Sequence, residues 1–324
     1  MRVLITGGAG FIGSHLADAC IERGDEVVVL DDFSTGRIAN VERLLSHRRF
    51  RLVRGDVANA ALVGKLLDDC EAVYHVAARL GMRLVIEHPL SALHSNVAGT
   101  EVVLEQAAAR RRRVLFTSTS EIYGLNEHKP SRESDLVVLG ATSKSRWSYA
   151  YSKAMGEVMA MAYHHERGLP VVIARLFNTV GARQTGRYGM VVPTFVRQAL
   201  AGEPITVHGD GSQSRCFVDV GEVVRGLVAL MEHPAAVGEI FNLGSRQEIT
   251  IRALAERVKA ITGTSSEITF VPHDVAYEPG FDEIRRRVPD ISKARGLIGF
   301  EPRTPIETII GNVVAEQRWS AAAV

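Results

Sequence analysis

The chain alternates short, solid apolar runs with longer amphipathic stretches. Residues 3–6, 26–30, 51–54, 72–76, 114–117 and 171–176 have the length and the Val, Ile and Leu content of strands. Their apolar residues run continuously instead of alternating with polar ones, which predicts strands covered on both faces. Between them, residues 13–23, 60–68, 91–112 and 146–167 carry helical periodicity. The succession predicts an α/β fold: a Rossmann-type, doubly wound parallel sheet with crossover helices. Beyond Asn178 the regularity breaks, and Gly- and Pro-containing segments at 181–189, 202–204, 209–211 and 272–280 separate shorter elements. Residues 239–243 read as one more core strand returning to the sheet. The expected organisation is a first domain over 1–177, completed by that strand, and a smaller, interleaved C-terminal lobe over most of 178–324.

Composition narrows the classes of partner. The 324 residues amount to roughly two domains. With 38 Lys and Arg against 37 Asp and Glu, the net charge of +1 lacks the basic excess of a nucleic-acid binder. A chain that is 46% hydrophobic and 23% charged reads as a globule, not a disordered segment. No apolar run approaches the ~20 residues of a membrane span. Cys20, Cys70 and Cys216 lie far apart without a CxxC pair, which argues against a disulfide framework or a zinc site. His164 and His165 lack a third ligand in register, so they read as a solvated helix face, and no metal is expected. Arg110–Arg113 fall at the end of a predicted helix, where cations complement the helix dipole. The first strand begins at residue 2 and leaves no room for a signal peptide, so a cytoplasmic protein is expected.

Chemistry enters with the glycines. Gly7, Gly10 and Gly13 follow the first strand and open a helix with Phe11 and Ile12. Such a turn lets backbone N–H groups approach a pyrophosphate at the positive end of a helix. The second strand leads to Asp31, 18 residues past Gly13, with Asp32 beside it. A carboxylate there accepts both hydroxyls of an adenosine ribose and repels a 2′-phosphate, which favours NAD over NADP. Asp56, followed by Val57, either faces the adenine amino group or caps a turn. Tyr149 and Lys153 are four apart on a predicted helix and share one face. A phenol of pKa near 10 is a poor base at neutral pH, and a neighbouring ammonium and a nicotinamide cation both favour its ionised form. Upstream, Thr117-Ser118-Thr119-Ser120-Glu121 ends a predicted central strand, where side chains project into the ligand crevice.

On these residues the chain resembles the extended short-chain dehydrogenase/reductase family, whose members modify nucleotide sugars with tightly held NAD. The likeness spans the glycine motif, His75-Val-Ala-Ala78, Asn96, the Ser/Thr cluster, Tyr149, Lys153 and Arg175-Leu-Phe-Asn178. A narrower likeness is to the UDP-glucuronate decarboxylases. It rests on Ser118–Glu121, Arg146-Trp-Ser-Tyr149, Gly211–Phe217, Arg287-Val-Pro-Asp290 and Ser292-Lys-Ala294. The resemblance implies catalytic roles for Thr119, Glu121, Tyr149, Lys153 and Arg287. It implies that Gly7, Gly10, Phe11, Ile12, Gly13, Asp31, Asp32, Asp56, Val57, Ala77, Ala78 and Thr117, with Tyr149 and Lys153, hold NAD. It also implies that Arg79, Arg83, Ser120, Asn178, Val192, His208, Arg215 and Arg287 hold a UDP-sugar.

Glu121 separates the candidate reactions. Related 4-epimerases generally carry a small residue there, whereas decarboxylases and 4,6-dehydratases carry an acid. The implied reaction oxidises the sugar at C4, loses carbon dioxide from C6 and protonates C5 with help from Glu121 or Arg287. Its product is UDP-xylose or a 4-keto pentose. A UDP-hexose or UDP-hexuronate 4-epimerase is the alternative, and a 4,6-dehydratase or a catalytically silent binding protein are further ones. The loop Arg79-Leu-Gly-Met-Arg83 departs from the Pro-rich loop of the UDP-xylose synthases. Its arginines either pair with a hexuronate carboxylate or solvate a surface loop, and His208 either stacks near uracil or is structural. Arg215 and Arg287 both suit a diphosphate. The resemblance further implies a homodimer, built through a four-helix bundle from helices 91–112 and 146–167 of two subunits.

Overall fold

A computed structural model of the protein describes residues 1–79, 89–186, 190–276 and 282–322. Six strands in chain order, β1 (Arg2–Thr6), β2 (Glu26–Asp31), β3 (Phe50–Arg54), β4 (Ala72–His75), β5 (Arg113–Thr119) and β6 (Val171–Leu176), form one parallel sheet. The strand Glu239–Leu243 adds to it in parallel beside β6. Across the sheet the order runs from that strand through β6, β5, β4, β1 and β2 to β3. The order reverses between β1 and β4, and the crevice at that point is where a doubly wound sheet binds ligands.

Continuous apolar strands bury both faces. In β1, Val3 and Ile5 pack on one layer with helix α1 (Phe11–Glu22) and the helix Val220–Glu232, while Leu4 packs on the other. That second layer consists of α2 (Ala60–Asp68), α3 (Pro89–Ala109) and α4 (Ser148–Arg167). Among the described residues no helix is long and apolar enough to cross a membrane. The C-terminal lobe has its own core, where Val192, Phe195, Val207, Leu254, Val258 and Ile310 meet. Its strand Ser214–Cys216 pairs with Glu248–Thr250 on one side and Arg286–Arg287 on the other, which sets Arg287 beside Arg215.

The arginine run does more than the sequence suggested: Arg110 Nη1 donates to the Gln106 carbonyl in the last turn of its own helix, as expected, and the residues after it reach further. Helix α3 ends at Ala109, before the run, and Arg113 already opens β5. Arg112 donates to the carbonyls of Leu67 and Asp68 at the end of α2, and Arg113 to those of Leu230 and His233 at the end of Val220–Glu232. These cations satisfy the orphan carbonyls of neighbouring helices, not of their own. His164 bonds through Nδ1 to the Leu169 carbonyl that follows its helix.

A buried ion pair ties α4 to β6. Arg175 donates to Glu157 through Nε at 3.0 Å and Nη2 at 2.8 Å, while its Nη1 reaches the Tyr123 hydroxyl. Both partners are almost fully enclosed. Glu157→Ala is therefore expected to lower stability by about 3–5 kcal/mol, because it leaves an uncompensated guanidinium in the core. The shift of the urea midpoint measures it, and Glu157→Ala with Arg175→Met should lose less.

Candidate active site

The turn after β1 is shaped by what a side chain would strike. Gly7 lies at φ +71°, and a Cβ there would come within 2.7 Å of the Ala77 backbone. A Cβ on Gly13 would lie 2.2 Å from the Gly7 carbonyl oxygen. No side chain caps α1 at Gly10, so its first N–H groups are left for a ligand. Asp31 accepts hydrogen bonds from the Ala9 and Phe33 N–H groups at 2.9 and 2.8 Å, which fixes its carboxylate under the turn. Burial nevertheless raises its pKa against those bonds. Asp32 accepts from Ser34 and pairs with Arg79 at 3.3 Å.

Across the cleft, β5 delivers the polar cluster. Thr119 Oγ1 accepts from the Glu121 N–H and starts the short helical turn Ser120–Tyr123, which brings Glu121 to the cleft wall. Lys153 is buried, donates to the Thr117 carbonyl at 2.8 Å and lies over the Phe116 ring. Desolvation pulls its pKa down to about 7, opposed by Glu157 one turn further along α4. Desolvation and then the Glu121 carboxylate push the Tyr149 phenol well above its ordinary value, against a hydrogen bond with Thr119. The sequence argument for an acidified phenol counts the charges of Lys153 and of a nicotinamide cation; burial, the larger effect on both side chains, acts against it.

Two guanidinium groups flank Glu121. Arg287 Nη1 lies 3.7 Å from Oε1, and Arg146 Nη1 lies 3.8 Å from Oε2. Arg287 is itself pulled down by desolvation, with Glu121 opposing. Desolvation and then the neighbouring Arg287 bring Arg215 down to about 9. A dry site with this cationic excess suits an anionic ligand.

One cleft collects Gly7, Gly10, Phe11, Ile12, Gly13, Asp31, Asp32, Asp56, Val57, Ala77, Ala78, Arg79, Thr117, Thr119, Ser120, Glu121, Tyr149, Lys153, Asn178 and Arg287 in its lining. Asp56 lines the cleft, and its Oδ1 accepts from the Ala58 N–H in a turn. Arg79 is fastened by Asn96, which bonds both its N–H and its carbonyl, and its guanidinium faces Asp32. Val192 stands apart, buried in the core of the C-terminal lobe. His208 ends the strand Ile205–His208, and neither it nor Arg215 belongs to the cleft lining. Arg83 lies outside the described residues.

Sequence reasoning missed other parts of the wall. Arg37 and Asn40 come from the loop after β2, where the Arg37 N–H and Asn40 Nδ2 both bond the Ala9 carbonyl and hold the loop to the glycine turn. Arg183 reaches the wall at φ +64° and pairs with Asp18 of α1 at 2.8 Å, a carboxylate shared with Arg43. These loops have no periodicity to betray them. Arg146 did carry a signal, its place three residues before Tyr149.

The sequence matches the profile of the NAD dependent epimerase/dehydratase family over residues 3–244. It is 38% identical over 307 residues to the UDP-N-acetyl-alpha-D-glucosaminuronate decarboxylase of Bacillus cytotoxicus, covering 94% of each chain. It is 40% identical over 318 residues to UDP-glucuronic acid decarboxylase 1 of Arabidopsis thaliana, covering 98% of this chain and 70% of that protein. A crystal structure of UDP-glucuronic acid 4-epimerase from Bacillus cereus, in complex with UDP-glucuronic acid and NAD, superposes with a TM-score of 0.89 at 29% identity. That match covers 99% of this chain and 100% of the other.

Proposed function

The chain belongs to the NAD dependent epimerase/dehydratase family, and from that footing we propose that it is an NAD-dependent UDP-glucuronate decarboxylase. The residues present fit NAD. The glycine turn has no room for a Cβ, the start of α1 is uncapped, and Ser118 Oγ and Gln184 Oε1 are buried in the cleft wall without a protein partner. Gly7, Gly10, Phe11, Ile12 and Gly13 would hold the diphosphate, Asp31 and Asp32 the adenosine ribose, and Asp56 and Val57 the adenine. Ala77, Ala78, Thr117, Tyr149 and Lys153 would hold the nicotinamide end. When bound, the cofactor supplies a reversible hydride acceptor.

The side chains then divide the proton chemistry. Tyr149, with Thr119 on its hydroxyl and Lys153 on the next turn, takes the proton of the sugar C4 hydroxyl. With C4 at the ketone level, the C6 carboxylate is β to a carbonyl, and carbon dioxide leaves to give an enolate. Glu121, braced by Arg287, orients water that delivers to C5 the one solvent proton that loss of carbon dioxide consumes. Arg287 of the cleft wall, with Arg215 beside it on the neighbouring strand and behind that wall, takes the diphosphate of the nucleotide sugar, and Ser120 and Asn178 line the sugar.

The observation that carries this reading is Glu121, a carboxylate within Coulombic reach of Tyr149 and of two arginines. Oxidation at C4 alone needs one base, whereas loss of carbon dioxide also needs a proton guided to C5. A 4-epimerase is the second reading, favoured by the likeness to the Bacillus cereus enzyme over the whole chain. Incubation with UDP-glucuronate separates them: decarboxylation lowers the product mass by one carbon dioxide, and epimerisation leaves it unchanged. Glu121→Gln is expected to spare oxidation at C4 and slow carbon dioxide release about 10²-fold, the usual worth of a positioned proton donor. Equal loss of both steps would count against this role.

We also propose a cytoplasmic homodimer. Tyr151, Met155 and Val158 form an exposed stripe on α4, which lies along α3, and a second copy packed there would complete a four-helix bundle. The three free, buried thiols suit a reducing compartment.

A further inference from the structure

We propose that Arg146 is a positioning residue, which fixes Glu121 by holding the carboxylate oxygen that Arg287 does not. The proposal rests on the decarboxylase reading and assigns a part to a residue that reading leaves idle.

Arg146 belongs to the short helical turn Ser145–Trp147 that leads into α4. Its side chain is only 6% exposed. Its Nε donates to the Asp282 carbonyl at 2.6 Å, and its guanidinium lies over the Trp147 ring at 4.4 Å. Trp147 is pinned in turn, because its Nε1 donates to Asp282 Oδ2, and Lys144 Nζ donates to Asp282 Oδ1. The guanidinium is thus fastened by backbone, ring and helix before it meets Glu121.

Glu121 has the opposite problem. Its own backbone is fixed by Thr119, but three side-chain torsions remain free, and ordering them costs entropy. Arg287 at 3.7 Å and Arg146 at 3.8 Å both stand beyond hydrogen-bond length, so neither alone selects one orientation. Two immobile charges on different oxygens do. Arg146 sits three residues before Tyr149, so the turn that starts the catalytic helix also sets the acid against the base.

The test is a double-mutant cycle on the NAD-loaded protein with Arg146→Gln, Glu121→Gln and both together, following C4 oxidation and carbon dioxide release separately. Arg146→Gln is expected to slow carbon dioxide release about tenfold and to leave C4 oxidation within about twofold, a coupling usual for contacting charges. The double variant should be no slower than Glu121→Gln alone. Arg146→Lys should recover part of the loss. Losses that multiply in the double variant would overturn the proposal, because Arg146 would then act without Glu121. Should Arg146→Gln fail to fold, the Arg146→Lys cycle decides by the same criterion. If the unaltered protein releases no carbon dioxide, the decarboxylase reading fails by itself. Melting temperatures of the same four proteins still report the pair, and additive shifts would overturn it.

Discussion

Tyr149→Phe is expected to convert UDP-glucuronate about 10³-fold more slowly than the parent while still loading NAD, in the range of a lost general base. The substitution removes one oxygen and leaves the ring, its packing and the glycine turn in place. What is lost is the only atom in that position able to accept the C4 hydroxyl proton. The cleft by itself holds the phenol protonated, since desolvation and Glu121 both favour the neutral form. Ionisation must therefore be helped from outside the phenol, by Thr119, by the Lys153 ammonium and by the charge of the oxidised cofactor. Desolvation draws Lys153 down to about 7, and Glu157 opposes that fall. Turnover by product mass, with NAD content measured on the same sample, checks the expectation. Parental turnover by Tyr149→Phe would move the base elsewhere and leave the proposed division of proton chemistry without its first step.

The sheet was legible because its signal is local. A run such as Val27–Leu30 must be covered on both faces wherever it goes, and only a few architectures do that. The glycine turn and the Tyr149–Lys153 spacing were legible for the same reason: each is a pattern among residues fewer than seven apart. Pairings across long stretches of chain were not. Arg112 and Arg113 meet carbonyls 45 and 117 residues away, and nothing in their own segment distinguishes those from the end of α3. Arg79 lines the cleft and pairs with Asp32, a partner 47 residues away that its own loop does not announce, with Asn96 gripping its backbone. Val192 looked like a lining residue and packs in the core of the lobe, because the apolar face of its helix is spent on Leu254 and Ile310. Asp282 and Arg183 carried no pattern at all. The shift of Tyr149 was misjudged for another reason. Charge can be read from a sequence, but desolvation depends on the walls around the group.

Crowding, as distinct from backbone conformation, gives the second large effect. Gly13→Ala should weaken NAD binding by about 100-fold, or about 3 kcal/mol, with activity falling in step. The added Cβ would lie 2.2 Å from the Gly7 oxygen, 2.7 Å from Gly8 Cα and 2.9 Å from the Gly7 carbonyl carbon. All three are backbone atoms, so no side chain can swing aside. The turn cannot retreat either, because Gly7 is seated against Ala77 and its N–H is bonded to the Leu30 carbonyl. Relief comes only by shifting α1 or opening the turn, and both move the N–H groups that would meet the diphosphate. Gly263→Ala is the control. That residue sits at φ +68° with nothing within 4 Å of the added carbon, so it costs about 1–2 kcal/mol of left-handed strain and no crowding. It should lower the melting temperature and leave NAD affinity untouched. Calorimetric titration with NAD, beside circular dichroism to confirm the fold, distinguishes the two. Parental affinity in Gly13→Ala would mean that the glycine turn does not carry the diphosphate, and that the cofactor lies along some other wall of the cleft.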